Sequence, residues 1–232
     1  MRPNLSAFAL TPLVALLAAC GGSKAPAKPT GEGAATVLPA TASNAAAPTD
    51  PRVTLADLAR VKGDTTARVW LVIVSDFQCP YCKTWHDSTA ATIEKEYVAT
   101  GKVRMAYVNF PLQMHPHARE ASEGAMCAGA QGKFWEFSDR LFTSQAAWAG
   151  LPVATPTFES FATTLSLDMT AWRSCMSEHV MAGMIQADYD RGVKANVNST
   201  PTFFAGDQVI EGADRAPAFR AALDKALAAA GK

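Results

Sequence analysis

Val69-Trp70-Leu71-Val72-Ile73-Val74 is an almost unbroken apolar run, followed closely by Cys79-Pro80-Tyr81-Cys82. A short run of this kind, closed by Asp76-Phe77-Gln78, predicts a central strand covered on both faces. Pro80 suits a first helical position, so the two cysteines stand where a buried strand becomes a helix. Such a pair can close into a disulfide and reopen. Cys79 would lie beside the unpaired N–H groups of the helix start, which stabilise a thiolate and lower its pKa. Cys82, one turn further in, would be less accessible. Cys79 is therefore the expected nucleophile and Cys82 the resolving thiol.

The rest of the folded part reads around this switch. A lead-in from Pro51 to Lys62 holds a short helix near Ala56–Arg60. The helix from Pro80 carries Ala90, Ile93, Tyr97 and Val98 on one stripe and stops at Gly101. Val103 to Phe110 alternates as a second strand, which Pro111 ends. Strand, helix, strand of this length predicts a βαβ unit with parallel strands. From about 113 to 193 no strand is evident, and helices are expected over 117–129, 133–143, 157–165 and 170–191. Thr202–Ala205 and Gln208–Glu211 form a hairpin around Gly206-Asp207, and Ala216–Ala229 a final amphipathic helix. The fold class is α/β, βαβ followed by a helical insertion and ββα.

Residues 1–19 read as a secretory signal. Arg2 supplies the positive end, and Leu5–Leu17 is apolar but shorter than the roughly 20 residues of a membrane span. Leu17-Ala18-Ala19-Cys20 resembles the lipobox of bacterial lipoproteins, which implies a lipid on Cys20. Residues 20–50 are dominated by Ala, Pro, Gly, Thr and Ser without periodicity, as in a disordered tether. Lysine plus arginine equals aspartate plus glutamate at 21 each, so nothing marks a nucleic-acid partner. With Cys20 lipidated, Cys79, Cys82, Cys127 and Cys175 remain. Proximity favours Cys79 with Cys82, leaving Cys127 with Cys175 as a structural bridge in an oxidising compartment. Zinc would want further ligands, and His86, His115, His117 and His179 form no obvious set; no metal or cofactor is expected.

Asp76-Phe77-x-Cys79-Pro80-Tyr81-Cys82 and Ser199-Thr200-Pro201-Thr202-Phe203-Phe204 resemble the DsbA-like family of the thioredoxin superfamily. Asn109-Phe110-Pro111-Leu112, the stretch from Cys127 to Trp135 and Trp172-Arg173-Ser174-Cys175-Met176 match the same pattern, so the resemblance covers nearly all of 53–232. It implies a thioredoxin-like fold with a helical domain inserted, and a cis Pro201 facing the cysteines. Thr200 would then hydrogen-bond an extended substrate segment. Pro80 and Tyr81 would tune the potential, and Tyr81, Phe77 and Thr200 would form a peptide groove. Phe134, Trp135, Phe137 and Phe142 are expected in the core. One departure stands out: many superfamily members carry a buried acid on the strand before the active site, where this chain has Ile73. Asp76 is the nearest acid, as a turn or cap residue or else a proton relay.

The implied activity is thiol–disulfide exchange on exported proteins, with oxidation the preferred direction and a membrane redox partner resetting the pair. A reductase or isomerase is the alternative in the same chemistry. A non-catalytic, substrate-holding lipoprotein is the alternative in another class. The expected state is a monomer, lipid-anchored in the cell envelope and periplasmic if the source is Gram-negative.

Overall fold

The computed structural model describes residues 50–231. The expected signal peptide, lipidated Cys20 and all of the tether except Asp50 lie outside the described residues.

β2 (Val69–Ser75) is the centre of the sheet and is buried at every position except Trp70, whose ring Arg104 covers at 4.2 Å. β3 (Val103–Asn109) runs parallel to it, pairing Ile73 with Tyr107 and Ser75 with Asn109. β4 (Thr202–Ala205) lies antiparallel on the other side, Ile73 opposite Phe203, and β5 (Gln208–Glu211) completes the hairpin. β1 (Val61–Lys62), two residues with no readable period, adds an antiparallel edge to β3. The order is β1-β3-β2-β4-β5. At the β4–β5 turn Gly206 has φ +62°, and a Cβ there would come 2.9 Å from that of Ala226.

Alternation along β2 divides the interior. Leu71 and Ile73 join the main core with Trp85, Tyr107, Phe203 and Phe219. Val72 and Val74 pack on the opposite face with Phe110, Val197 and Phe204. Burying each such large apolar side chain contributes about 1.5–3 kcal/mol.

After the cysteines the chain does not form one regular helix. α2 (Pro80–Trp85) passes into a π-helical stretch (His86–Ala90), then α3 (Ala91–Ile93), then a second π-helical stretch (Glu94–Val98). Before the sheet, α1 (Pro51–Ala59) is capped by Asp50, whose carboxylate accepts from the Arg52 N–H. Between β3 and β4 lie α4 (Ala118–Gly129), α5 (Phe134–Thr143), α6 (Gln145–Trp148), α7 (Thr155–Thr164), α8 (Met169–Ser177) and α9 (Ala182–Lys194); α10 (Ala216–Ala230) closes the fold. The helix expected over 170–191 is therefore two. His179, at φ +50°, turns the chain, and the Val180 N–H reaches back to the Cys175 carbonyl in a Schellman-type stop. A histidine in that position gives no sign of a break, as glycine would.

The helical block is fastened to the sheet. Asp188, fully buried on α9, accepts from the backbone and side-chain N–H groups of Asn109 at 3.0 and 2.9 Å and pairs with Arg60 and Arg191. Gly192 lets α9 close on Phe110, since a Cβ would lie 2.6 Å from that ring. Cys127 and Cys175 are bonded, with Cα atoms 5.8 Å apart, and join α4 to α8. Phe134, Phe137 and Phe142 are buried and Trp135 partly so.

Candidate active site

Cys79 is the residue at which β2's extended chain becomes α2: its backbone is extended (φ −70°, ψ 125°) and Pro80 follows as the first helical residue. The turn that delivers it is built on Asp76. The Asp76 carbonyl accepts from the Cys79 N–H at 3.1 Å, and one carboxylate oxygen accepts from the Gln78 N–H at 2.7 Å. The other oxygen accepts from the Leu112 N–H at 2.9 Å and lies 2.6 Å from His115 Nδ1. Both oxygens of this fully buried carboxylate are thus committed to shaping the loop.

The helical block holds the same loop from its other side. Gln145 Nε2 donates to the Phe77 and Cys79 carbonyls at 2.8 and 3.1 Å. Gln78 donates to the Ala149 carbonyl and accepts from the His117 N–H, at 2.8 and 2.7 Å. Phe77 corrects an expectation. It is fully buried, stacked on Tyr107 at 4.8 Å and packed against Phe142, so it offers no surface to a peptide groove. An apolar residue beside a reactive motif fits core or groove equally well in sequence, and packing decides.

Accessibility differs less between the two thiols than expected: Cys79 is 3% exposed and Cys82 1%. Their surroundings differ far more. Both are free thiols here, and the Cys79 sulfur donates to the Thr200 carbonyl at 3.3 Å. The Thr200–Pro201 bond is cis. The Cys79 pKa is lowered to about 6, chiefly because the Cys82 thiol donates to its anion. Burial opposes this, and the Thr200 side chain with the Cys82 and Tyr81 N–H groups adds to it. Cys82 moves the other way, pushed well above the ordinary thiol range by burial and then by the neighbouring Cys79. One thiol ionises near neutral pH and its partner stays protonated, the division of labour that exchange through a mixed disulfide needs.

Tyr81 is 66% exposed at the rim, beside exposed Pro80. His86 is held between Asp87 (2.9 Å) and Asp139 (3.1 Å). Burial works against its protonation, but the two carboxylates outweigh that and raise its pKa. Gln78, Gln145, His115 and His117 were not singled out as site residues by sequence reasoning. Among the described residues, no three His, Cys, Asp or Glu side chains are arranged to hold a metal.

Residues 56–225 match the thioredoxin family. The chain belongs to that family. Among solved structures, oxidised BdbD from Bacillus subtilis superposes with a TM-score of 0.66 at 22% identity, covering 73% of this chain and 92% of that one. Wolbachia pipientis alpha-DsbA1 gives 0.66 at 21% identity, covering 74% and 92%. These likenesses establish the thioredoxin-like fold of this family member. By sequence, the disulfide bond formation protein D of Bacillus subtilis is 25% identical over 65% of this chain and 69% of its own length. The Na(+)/H(+) antiporter NhaA 3 of Salinispora tropica is 32% identical over 79% of this chain, which spans only 26% of that protein's length.

Proposed function

We propose that this thioredoxin-family chain is a thiol–disulfide oxidoreductase that forms disulfides in exported proteins through Cys79 and Cys82. The observation that carries the reading is the setting of the pair, Cys79 at the helix start 3.3 Å from the Thr200 carbonyl and Cys82 buried one turn in, which lowers the pKa of the first to about 6 and raises that of the second. A substrate thiolate attacks Cys79 in the Cys79–Cys82 disulfide and Cys82 leaves. A second substrate thiol then displaces Cys79, and a membrane redox partner reoxidises the pair. Thr200 and Pro201 wall the sulfur, and Tyr81 lies at the rim, where an extended segment would pass. Cys20 would carry the lipid that keeps the domain at the envelope membrane. The name of the Bacillus subtilis relative supports the direction. Ion transport, named for the antiporter relative, is no part of this reading, because the chain matches about a quarter of that protein.

Equilibration of the isolated protein with glutathione redox buffers tests the direction. A midpoint toward about −120 mV supports an oxidant, and one near −270 mV would make it a reductant. Peptide binding without thiol exchange would instead establish the substrate-holding alternative.

A further inference from the structure

A cavity of about 660 Å³ opens in the helical block, walled by α4, α7 and α8. Trp172 is its apolar floor, the buried ring fixed by an Nε1–H bond to the Gly124 carbonyl at 3.1 Å, and Met176 also lines it. Three carboxylates and two guanidinium groups complete the lining. Arg173 and Glu159 neutralise each other at the exposed rim in a two-point ion pair (3.0 and 3.2 Å). Glu120 and Glu123 remain, about one turn apart on α4 and so on the same helix face.

Glu120 accepts from the Thr155 hydroxyl. Glu123 is less well served. Its side chain is 6% exposed, and its one hydrogen-bond partner among the described residues is His179, whose Nδ1 lies 2.8 Å from Oε2. The His179 ring is 71% exposed, so solvent screens it. Arg119, one turn before Glu123, donates to Gln186 on α9 instead. Oε1 is left without a donor, and a carboxylate taken out of water is costly unless it is paired and bonded.

Charge and shape select the occupant. Two acidic side chains over an apolar floor exclude an anion. A neutral apolar group would shut Glu123 away from water with one oxygen unmet. A lysine or arginine side chain meets both demands, its methylenes on Trp172 and Met176 and its cationic head at Glu123. Position selects the source. Pro116, at the cavity wall, leads into His117, whose N–H donates at 2.7 Å to Gln78, the residue before Cys79. His117 Nδ1 in turn lies 3.8 Å from Glu120. One residue thus separates the cavity from the active-site loop, a gap that a few residues of extended chain span at about 3.3 Å each.

We propose that this cavity is a subsite for a lysine or arginine side chain of the protein being oxidised, a few residues along the chain from the cysteine that joins Cys79. The proposal rests on the oxidoreductase reading and adds a sequence preference to it.

Two measurements test it. In the first, n-butylguanidinium chloride is titrated into the protein while the Trp172 indole N–H resonance is followed by NMR, with sodium chloride at equal ionic strength as control. A saturable shift specific to the guanidinium is expected, with affinity at least about tenfold weaker in the near-isosteric Glu123→Gln. No specific shift, or equal affinity in the folded variant, would overturn the cation site. In the second, oxidised protein is mixed with dithiol peptides that carry lysine or uncharged norleucine four to ten residues from one cysteine. The peptide's two thiols close into a disulfide, and the Cys79–Cys82 disulfide becomes two thiols. The second-order rate constant is expected to favour lysine at least about fivefold at the best spacing. Both measurements on the unaltered protein stand even if the variant does not fold. Equal rates for lysine and norleucine at every spacing would overturn the substrate source, and with a saturable guanidinium shift would leave a site for free small cations. Failure to oxidise any peptide would instead overturn the underlying reading.

Discussion

The chain contains two cysteine pairs that exposure alone cannot tell apart: Cys79 and Cys82 are 3% and 1% exposed, Cys127 and Cys175 1% and 2%. Their settings separate them. Cys127 and Cys175 lie on two packed helices, α4 and α8, among aromatic and aliphatic neighbours, and are bonded across a sequence separation of 48. Cys79 lies where extended chain turns into a helix, with Cys82 one helical turn away as the first of the groups that favour its anion, while the Thr200 carbonyl at 3.3 Å accepts from its neutral thiol. What sets Cys79 apart is a set of polar groups that favour its anion, and solvent exposure is secondary.

The strongest way to break this comparison is to exchange the roles. Cys79→Ser is expected to abolish thiol exchange, a loss of at least about a thousandfold, because no other thiolate is available near neutral pH. Replacing Cys127 and Cys175 together by alanine should leave the rate of Cys79 alkylation within a fewfold. It should lower stability to urea by up to about 4 kcal/mol on the chain-entropy account of a loop this long. Comparable losses of exchange in the two variants would erase the distinction between a reactive and a structural pair.

A finer prediction concerns what holds the reactive pair in place. Gln145→Ala removes both bonds to the Phe77 and Cys79 carbonyls and leaves them buried. The expected loss is about 1–3 kcal/mol for the unsatisfied groups, together with slower alkylation of Cys79. A loss of stability with unchanged Cys79 reactivity would show that the helical block supports the fold and not the site.

The contrast between the pairs also marks where sequence reading succeeds. β2, the hairpin and the placement of Cys79 and Cys82 at a strand-to-helix turn are legible because hydrophobic pattern, proline position and motif agree over a short span. The strand-like run is continuous because both faces are covered, and Gly206 marks the hairpin turn. The facing of Thr200 and Pro201 toward the thiols came through family resemblance, since nothing local links positions 121 apart. Gln145 and Gln78 were invisible for the same reason: their contacts span 39 to 71 positions, and a polar residue reads as surface unless its distant partner is known. Phe77 failed differently, because hydrophobicity identifies a buried residue without saying whether core or ligand covers it. The π-helical stretches left no trace, as their residues also suit an ordinary helix.

The prediction most diagnostic of mechanism lies in the pH dependence of stability. Cys79 titrates near 6 in the folded reduced protein and near the ordinary thiol value once unfolded, with a reference of 9.0. Between those values the unfolded chain holds a proton that the folded protein has released, so stability rises with pH across that window. The contribution is fully present above the unfolded value and is lost as pH falls through about 6. Cys82 acts with the opposite sign. Its folded value is raised, so its contribution is present below the ordinary thiol range and fades as pH climbs above 9. The reduced protein should therefore gain thermal stability relative to its oxidised form from pH 6 toward 9, then lose it. The oxidised form, with neither thiol to titrate, supplies the baseline. The bonded pair Cys127–Cys175 is the same in both forms and cancels. A difference curve that stays flat across pH 6 to 9 would mean that the folded site does not favour the Cys79 anion, and the contrast between the two pairs would then rest on bonding alone.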